Sequence, residues 1–163
     1  MNQTPWSILR FTVHLTPRGQ ARARAAVVTD RNGNAVRSQK TGRVVIVHHK
    51  DKRQESDEQK LHALLLEHRP EQPLQGPILL GVKAFMPIPQ SRPKKWREAA
   101  LAGDERPESK PDLDNVLKHL KDVMTGTFWT DDKQVVGYLP DTGKFYSDAP
   151  RYEVTVMFRK DRQ

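Results

Sequence analysis

Asp112 and Asp114 stand two residues apart in the run Lys110-Pro111-Asp112-Leu113-Asp114-Asn115-Val116-Leu117-Lys118, and the adjacent pair Asp131-Asp132 follows shortly after. Carboxylates crowded in this way repel one another, and a divalent cation is the usual reason to tolerate the crowding. Such an ion can lower the pKa of a bound water and offset charge on a phosphate under attack. The surrounding chain is basic, with 28 Lys+Arg against 20 Asp+Glu and a formal net charge of +8. An acidic metal pocket in a basic chain is what a metal-dependent nuclease requires, because cations hold the phosphates that the ion helps to break.

Each of these residues also has an ordinary structural explanation. One of Asp112 and Asp114 can cap a helix while the other favours its dipole. Asp131-Asp132 can be a solvated turn, although a helix-turn-strand return can bring the pair back toward the helix start. Lys118, one turn beyond Asp114, can meet a phosphate or pair with Asp114 or Asp122 on the helix surface. Asp122 is either a support for the ion's ligands or a surface residue. The order of carboxylates does not fit a calcium EF-hand loop, and no glycine-rich phosphate cradle is present. Arg18, Arg22, Arg24, Lys94, Lys95 and Arg97 flank the acidic centre in two clusters and are candidate DNA phosphate contacts. Trp96 can stack on DNA, whereas Phe128 and Trp129 are expected in the core beside the acidic turn. The six histidines form no convincing site, and His48-His49 and His62/His68 lack metal-binding company and are expected at the surface.

The elements that must position these residues follow from periodicity. Residues 7–15 alternate as a strand, and 16–40 form an arginine-rich stretch with Asn32-Gly33 as a turn signal. A short strand is expected over 44–47, a helix over 50–68, and a strand over 78–85 broken by Met86-Pro87-Ile88-Pro89. Ser91 can cap a helix over 92–102 that Gly103 closes. Asp112 or Asp114 caps a central helix running to about Thr125, with Gly126 as its stop. Its buried stripe is Leu113, Val116 or Leu117, Leu120 and Met124, while Asn115, Lys118 and Asp122 share another face. Strands over 134–139 and 152–158 close the chain, the last with Tyr152, Val154, Val156 and Phe158 on one face. The fold class is therefore α/β or α+β, one small domain with a mixed sheet packed by helices.

At this point the sequence resembles a known family. Lys110–Lys118, Lys121-Asp122-Val123-Met124-Thr125-Gly126 and Phe128-Trp129-Thr130-Asp131-Asp132-Lys133-Gln134-Val135-Val136 are similar to the RusA family of Holliday junction resolvases, common in phages and prophages. The similarity extends more loosely to 87–103 and to Pro17-Arg18-Gly19-Gln20-Ala21-Arg22-Ala23-Arg24. The resemblance implies a homodimeric, Mg²⁺-dependent endonuclease, with Mn²⁺ as a substitute ion, that nicks four-way DNA junctions at two symmetric places. It places Asp112, Asp114 and Asp132 on the family's catalytic, metal-binding carboxylates, Lys118 on its catalytic lysine, and Asp131 beside the third carboxylate as a further candidate ligand. The segment 20–39 departs from the family and reads as an insertion.

Composition narrows the alternatives. No apolar stretch is long enough to span a bilayer, the N-terminus does not read as a secretory signal, and the absence of cysteine excludes disulfides and cysteine-based zinc sites. A bacterial cytoplasmic location, in a phage or prophage setting, is the expectation. Three other functions remain open: a non-catalytic basic DNA-binding module, a metal-stabilised structural protein, and a general metal-dependent nuclease.

Overall fold

The computed structural model describes residues 6–20, 24–49 and 52–160. Its described elements are β1 (Trp6–Val13), β2 (Arg24–Val27), β3 (Ile46–His49), α1 (Lys52–Leu66), β4 (Ile78–Pro87), α2 (Lys94–Ala102), α3 (Leu113–Met124), β5 (Val135–Tyr138), β6 (Gly143–Ser147) and β7 (Arg151–Arg159). By contacts the chain divides into two compact units, one of Met1–Gln20 with Lys60–Gln163 and one of Ala21–Gln59.

The larger unit carries a five-stranded mixed sheet in the order β1-β7-β4-β5. Strand β7 pairs antiparallel with both β1 and β4. On the other side of β4, two short parallel strands follow one another: β5 lies against Ile78–Leu80 and β6 against Lys83–Pro87. The fold is α+β, as expected from the sequence.

Alternation along the strands decides which face is buried. Phe11 and Val13 of β1, Leu80, Val82 and Ala84 of β4, and Tyr152, Val154 and Val156 of β7 all point into one core. Leu61 and Leu65 of α1 join it, as do Val116, Leu117, Leu120, Val123 and Met124 of α3. The buried stripe of α3 is wider than expected and includes His119, only 8% exposed. His68 stacks on Phe11 with ring centroids 5.0 Å apart. The expectation that His68 lies at the surface is thus corrected, since the end of α1 lays it on a core ring, while spacing from Val116 turns His119 inward. The side chains of His48 and His49 lie outside the described residues.

Several boundaries also differ. Strand β4 continues to Pro87, because that proline ends the strand opposite Ser147 and removes no interior ladder bond. Helix α2 begins at Lys94, with Pro93 at its N-cap and no side-chain cap, so Ser91 does not serve that role. Gly103 does close α2, in the left-handed conformation at φ 90°. Strands β2 and β6 were not anticipated. Trp96 packs edge-on against Tyr146 of β6, with Arg92 over its indole, so it is seated against the fold.

The turn between α3 and β5 is bonded throughout. Phe128 and Trp129 are fully buried, as expected, and the Trp129 indole N–H donates to Thr125 Oγ1 at 3.1 Å. Leu74 N–H donates to Phe128 O at 2.8 Å, and Gly126 N–H, at φ 86°, to Trp129 O at 2.7 Å. Gln134 accepts from Thr130 N and Asp131 N through Oε1 and donates through Nε2 to Leu74 O and Gly76 O. One amide side chain therefore ties the acidic turn to the entry of β4.

Candidate active site

Asp112 occupies the N-cap position of α3, with extended backbone at φ −66° and ψ 150°, yet its side chain makes no cap hydrogen bond. Its carboxylate is exposed and is not spent on capping. Asp114, in the first turn of α3, is exposed too, as is Lys118 one turn on. Two carboxylates and an ammonium thus share the outer side of one helix start.

Two segments hold this helix start in place. Lys144 of β6 donates through Nζ to Ser109 O at 2.8 Å and Pro111 O at 2.9 Å, fixing the chain just before Asp112. The segment 17–20 packs on the other side. Gln20 Nε2 donates to Asp122 Oδ2 at 2.6 Å, and Asn115 Nδ2 donates to Gln20 O at 3.0 Å. Asp122 therefore anchors the arginine-bearing segment. Arg18 N–H donates to the Tyr152 hydroxyl at 2.9 Å. Burial pushes the Tyr152 phenol up to about 12, so it stays protonated at neutral pH. Neither the Lys144 anchor nor the Gln20 clasp was found by sequence reasoning. The face shared by Asn115 and Asp122 was the available signal, but their partner lies almost a hundred residues earlier in the chain.

The close approach explains Gly19. A Cβ there would lie 2.6 Å from Asn115 Nδ2 and 2.8 Å from Pro111 Cβ. Gly19→Ala is accordingly expected to push 17–20 off the start of α3 and to cost about 1–3 kcal/mol as overpacking. Urea unfolding would measure it, and a midpoint equal to wild type would show that the contact is readily relieved.

The second acidic pair behaves differently. Asp131 caps a single 3₁₀ turn over Asp132–Gln134, accepting from Lys133 N at 3.0 Å in a capping box with Gln134. Its other oxygen meets Lys133 Nζ at 2.9 Å. These hydrogen bonds, the backbone one foremost, hold its carboxyl below the usual range. Asp132 is exposed.

Positions along α3 and β4 decide which candidates come together. The start of α3 is tied to Lys144, which pairs with Ala84 near the end of β4. The turn after α3 is tied to Leu74 and Gly76, just before β4 begins. Helix α3 spans 12 residues, or about 18 Å. The six steps of β4 from Ile78 to Ala84 cover about 20 Å. Asp132 is therefore near the opposite end of the helix from Asp112 and Asp114. Consistent with that, no three Asp, Glu, His or Cys gather as ligands for one ion among the described residues.

The basic candidates divide as well. The Arg18 segment packs on the α3 start, and α2, carrying Lys94, Lys95 and Arg97, packs on β6 beside the Lys144 anchor. Lys94 and Lys95 are exposed, with Lys94 3.8 Å from Glu98, and Arg97 is half-buried. Arg22 and the side chain of Arg24 lie outside the described residues.

Fold and site together define a small α+β protein that presents unspent carboxylates at a helix start, with basic segments on either side. A family profile described as Endodeoxyribonuclease RusA matches residues 15–157. The chain belongs to the RusA endodeoxyribonuclease family. It is also 36% identical over 151 residues to Uncharacterized protein YqaN of Bacillus subtilis (strain 168), covering 91% of this chain and 94% of that protein. No described helix is long and apolar enough to cross a membrane.

Proposed function

We propose that this chain is a Mg²⁺-dependent endonuclease that resolves four-way DNA junctions by paired symmetric nicks, acting as a homodimer. Family membership supports DNA as the substrate. The observation that carries the chemistry is the helix start where Asp112 takes the N-cap position without capping and Asp114 stands beside it in the first turn. These are hard oxygen donors of the kind Mg²⁺ takes, one or two carboxylates at a time, with the remaining positions left to water and phosphate. When bound, the ion supplies an activated water and neutralises charge on the phosphate. Lys118 brings an ammonium to the phosphate oxygens from the next turn, and the Arg18 and α2 segments orient the backbone of the DNA.

The separation of Asp132 from Asp112 and Asp114 favours a site shared between two copies. Strand β5 ends the sheet and starts three residues after Asp132, and it exposes Val136 (63%) and Tyr138 (47%). An apolar sheet edge of this kind calls for a cover. A second copy placed there sets Asp132 at the boundary, where the partner subunit's Asp112 and Asp114 can meet it. Two-fold symmetry then yields two equivalent sites, matching the symmetry of a junction.

The test is nicking of a synthetic four-way junction in Mg²⁺, beside EDTA and a linear duplex, with sedimentation at the same protein concentration. Paired nicks confined to the junction and lost in EDTA are expected from a dimer. Binding without nicking would point to a DNA-binding module, and equal cutting of the duplex to a general nuclease.

A further inference from the structure

The unit Ala21–Gln59 contains a β-ribbon that the carboxylate chemistry does not use. Its backbone is well tied. Strands β2 and β3 pair antiparallel from Arg24↔His49 to Val27↔Ile46. Beyond them Val28 N donates to Val45 O at 3.0 Å, Val36 N to Val28 O at 2.8 Å, and Val45 N to Val36 O at 2.9 Å. The first turn is closed by Asp30, whose carboxylate accepts from Asn32 N and Asn34 N at 2.9 Å each. The second is closed by Ser38 N to Arg43 O and Gly42 N to Ser38 O, both 2.8 Å.

This order in the backbone is not matched by burial. None of residues 25–47 is buried, and Val27 and Ile46, paired on one face, are 50% and 53% exposed. A ribbon without a core is marginal by itself, so its apolar face calls for a partner. The charge indicates which. Between 24 and 49 the basic residues are Arg24, Arg31, Arg37, Lys40 and Arg43, and the one acidic residue is Asp30, whose oxygens are taken by its own turn. A second copy would set these cations against their own kind. Duplex DNA offers both complements, phosphates for the cations and, in a major groove wide enough for a two-stranded ribbon, apolar base and sugar edges.

We propose that the β2–β3 ribbon is a second DNA-binding element, separate from the carboxylate site, that grips a duplex arm of the substrate. It takes from the proposed function only that DNA is the substrate. The test replaces three exposed cations together, Arg31→Gln, Lys40→Gln and Arg43→Gln, leaving Arg37, which holds Gly42 O at 3.1 Å. Binding of the full chain to a junction and to a plain duplex is measured from low to high salt. The plot of log K against log salt should become shallower by about 2–3, since each lost phosphate contact removes about 0.9 from the slope. An unchanged slope overturns the proposal. A second variant, Val27→Ser with Ile46→Ser, should weaken duplex binding without altering sedimentation. A shift to a lower oligomer with DNA affinity intact would assign the face to a second copy and overturn it too. If the wild type fails to nick junctions and the triple variant still loses salt slope, the ribbon stands and the resolvase function falls. If junctions are nicked and the slope is unmoved, the reverse holds.

Discussion

Asp132→Asn is expected to lower junction nicking at least about a thousandfold, because the several kcal/mol that a bound cation contributes to the transition state depend on charged ligands. The fold should survive. Asp132 is exposed, and the cap of its turn is supplied by Asp131 and Gln134. Thermal unfolding within about 0.5 kcal/mol of wild type would separate loss of chemistry from loss of structure. Nicking at the wild-type rate would remove Asp132 from the metal site. Asp114→Asn should be equally inactive, and mixing the two variants tests where the ligands come from. In a mixed dimer, one shared site receives Asp112 and Asp114 from the first protomer and Asp132 from the second, all intact. Random exchange makes half of the dimers mixed, each with one working site, so roughly a quarter of wild-type sites should return. No recovery after exchange would mean that each site is built within one chain, and the role assigned to the sheet edge at β5 would fail.

The largest effect on stability is expected at Trp129. It is fully buried, packs edge-on against Phe128, and holds Thr125 through its indole N–H. Its backbone also bridges Leu74 and Thr125. Trp129→Ala should cost about 3–5 kcal/mol through lost burial and a cavity. Against a total of about 5–15 kcal/mol, that is a large share. Equilibrium urea unfolding measures it, and a cost below about 1 kcal/mol would show that the site collapses around the smaller side chain. The same residue links stability to activity, since the turn it anchors carries Asp132. Nicking should therefore fall in this variant even under conditions where it remains folded.

Much of this protein was legible in its sequence. Central helix α3 could be placed from its apolar spacing and from the flanking Asp112 and Gly126, because amphipathic periodicity and end signals are local. The strands β1 and β7 followed from alternation, which the buried face of β7 reproduces, and β4 was also placed as a strand. Phe128 and Trp129 could be assigned to the core, and the run around Asp112 and Asp114 was enough to place the chain in its family. What escaped depended on distant pairing. Strand β6 is ordered by its parallel ladder with β4, and β2 by its ladder with β3, and neither partner lies within a tight turn of it. His119 was turned inward by a core stripe wider than expected.

The candidate site divides along the same line. Residue type and order marked Asp112, Asp114, Lys118 and Asp132 as one chemical set, since carboxylate chemistry depends on identity. Whether they meet depends on tertiary structure. The sequence suggested that a helix-turn-strand return would bring Asp132 back toward Asp112. Instead, Gln134 ties the turn to Leu74 and Gly76 at one end of β4, and Lys144 ties the start of α3 near the other. A helix is a rigid spacer of fixed rise, so about 18 Å of α3 stays between the two ends. The sequence by itself determined the candidate ligands and the family. Only the tertiary structure decided that the two acidic groups stand apart within one chain, because the hydrogen bonds that fix each end come from residues far away in the sequence.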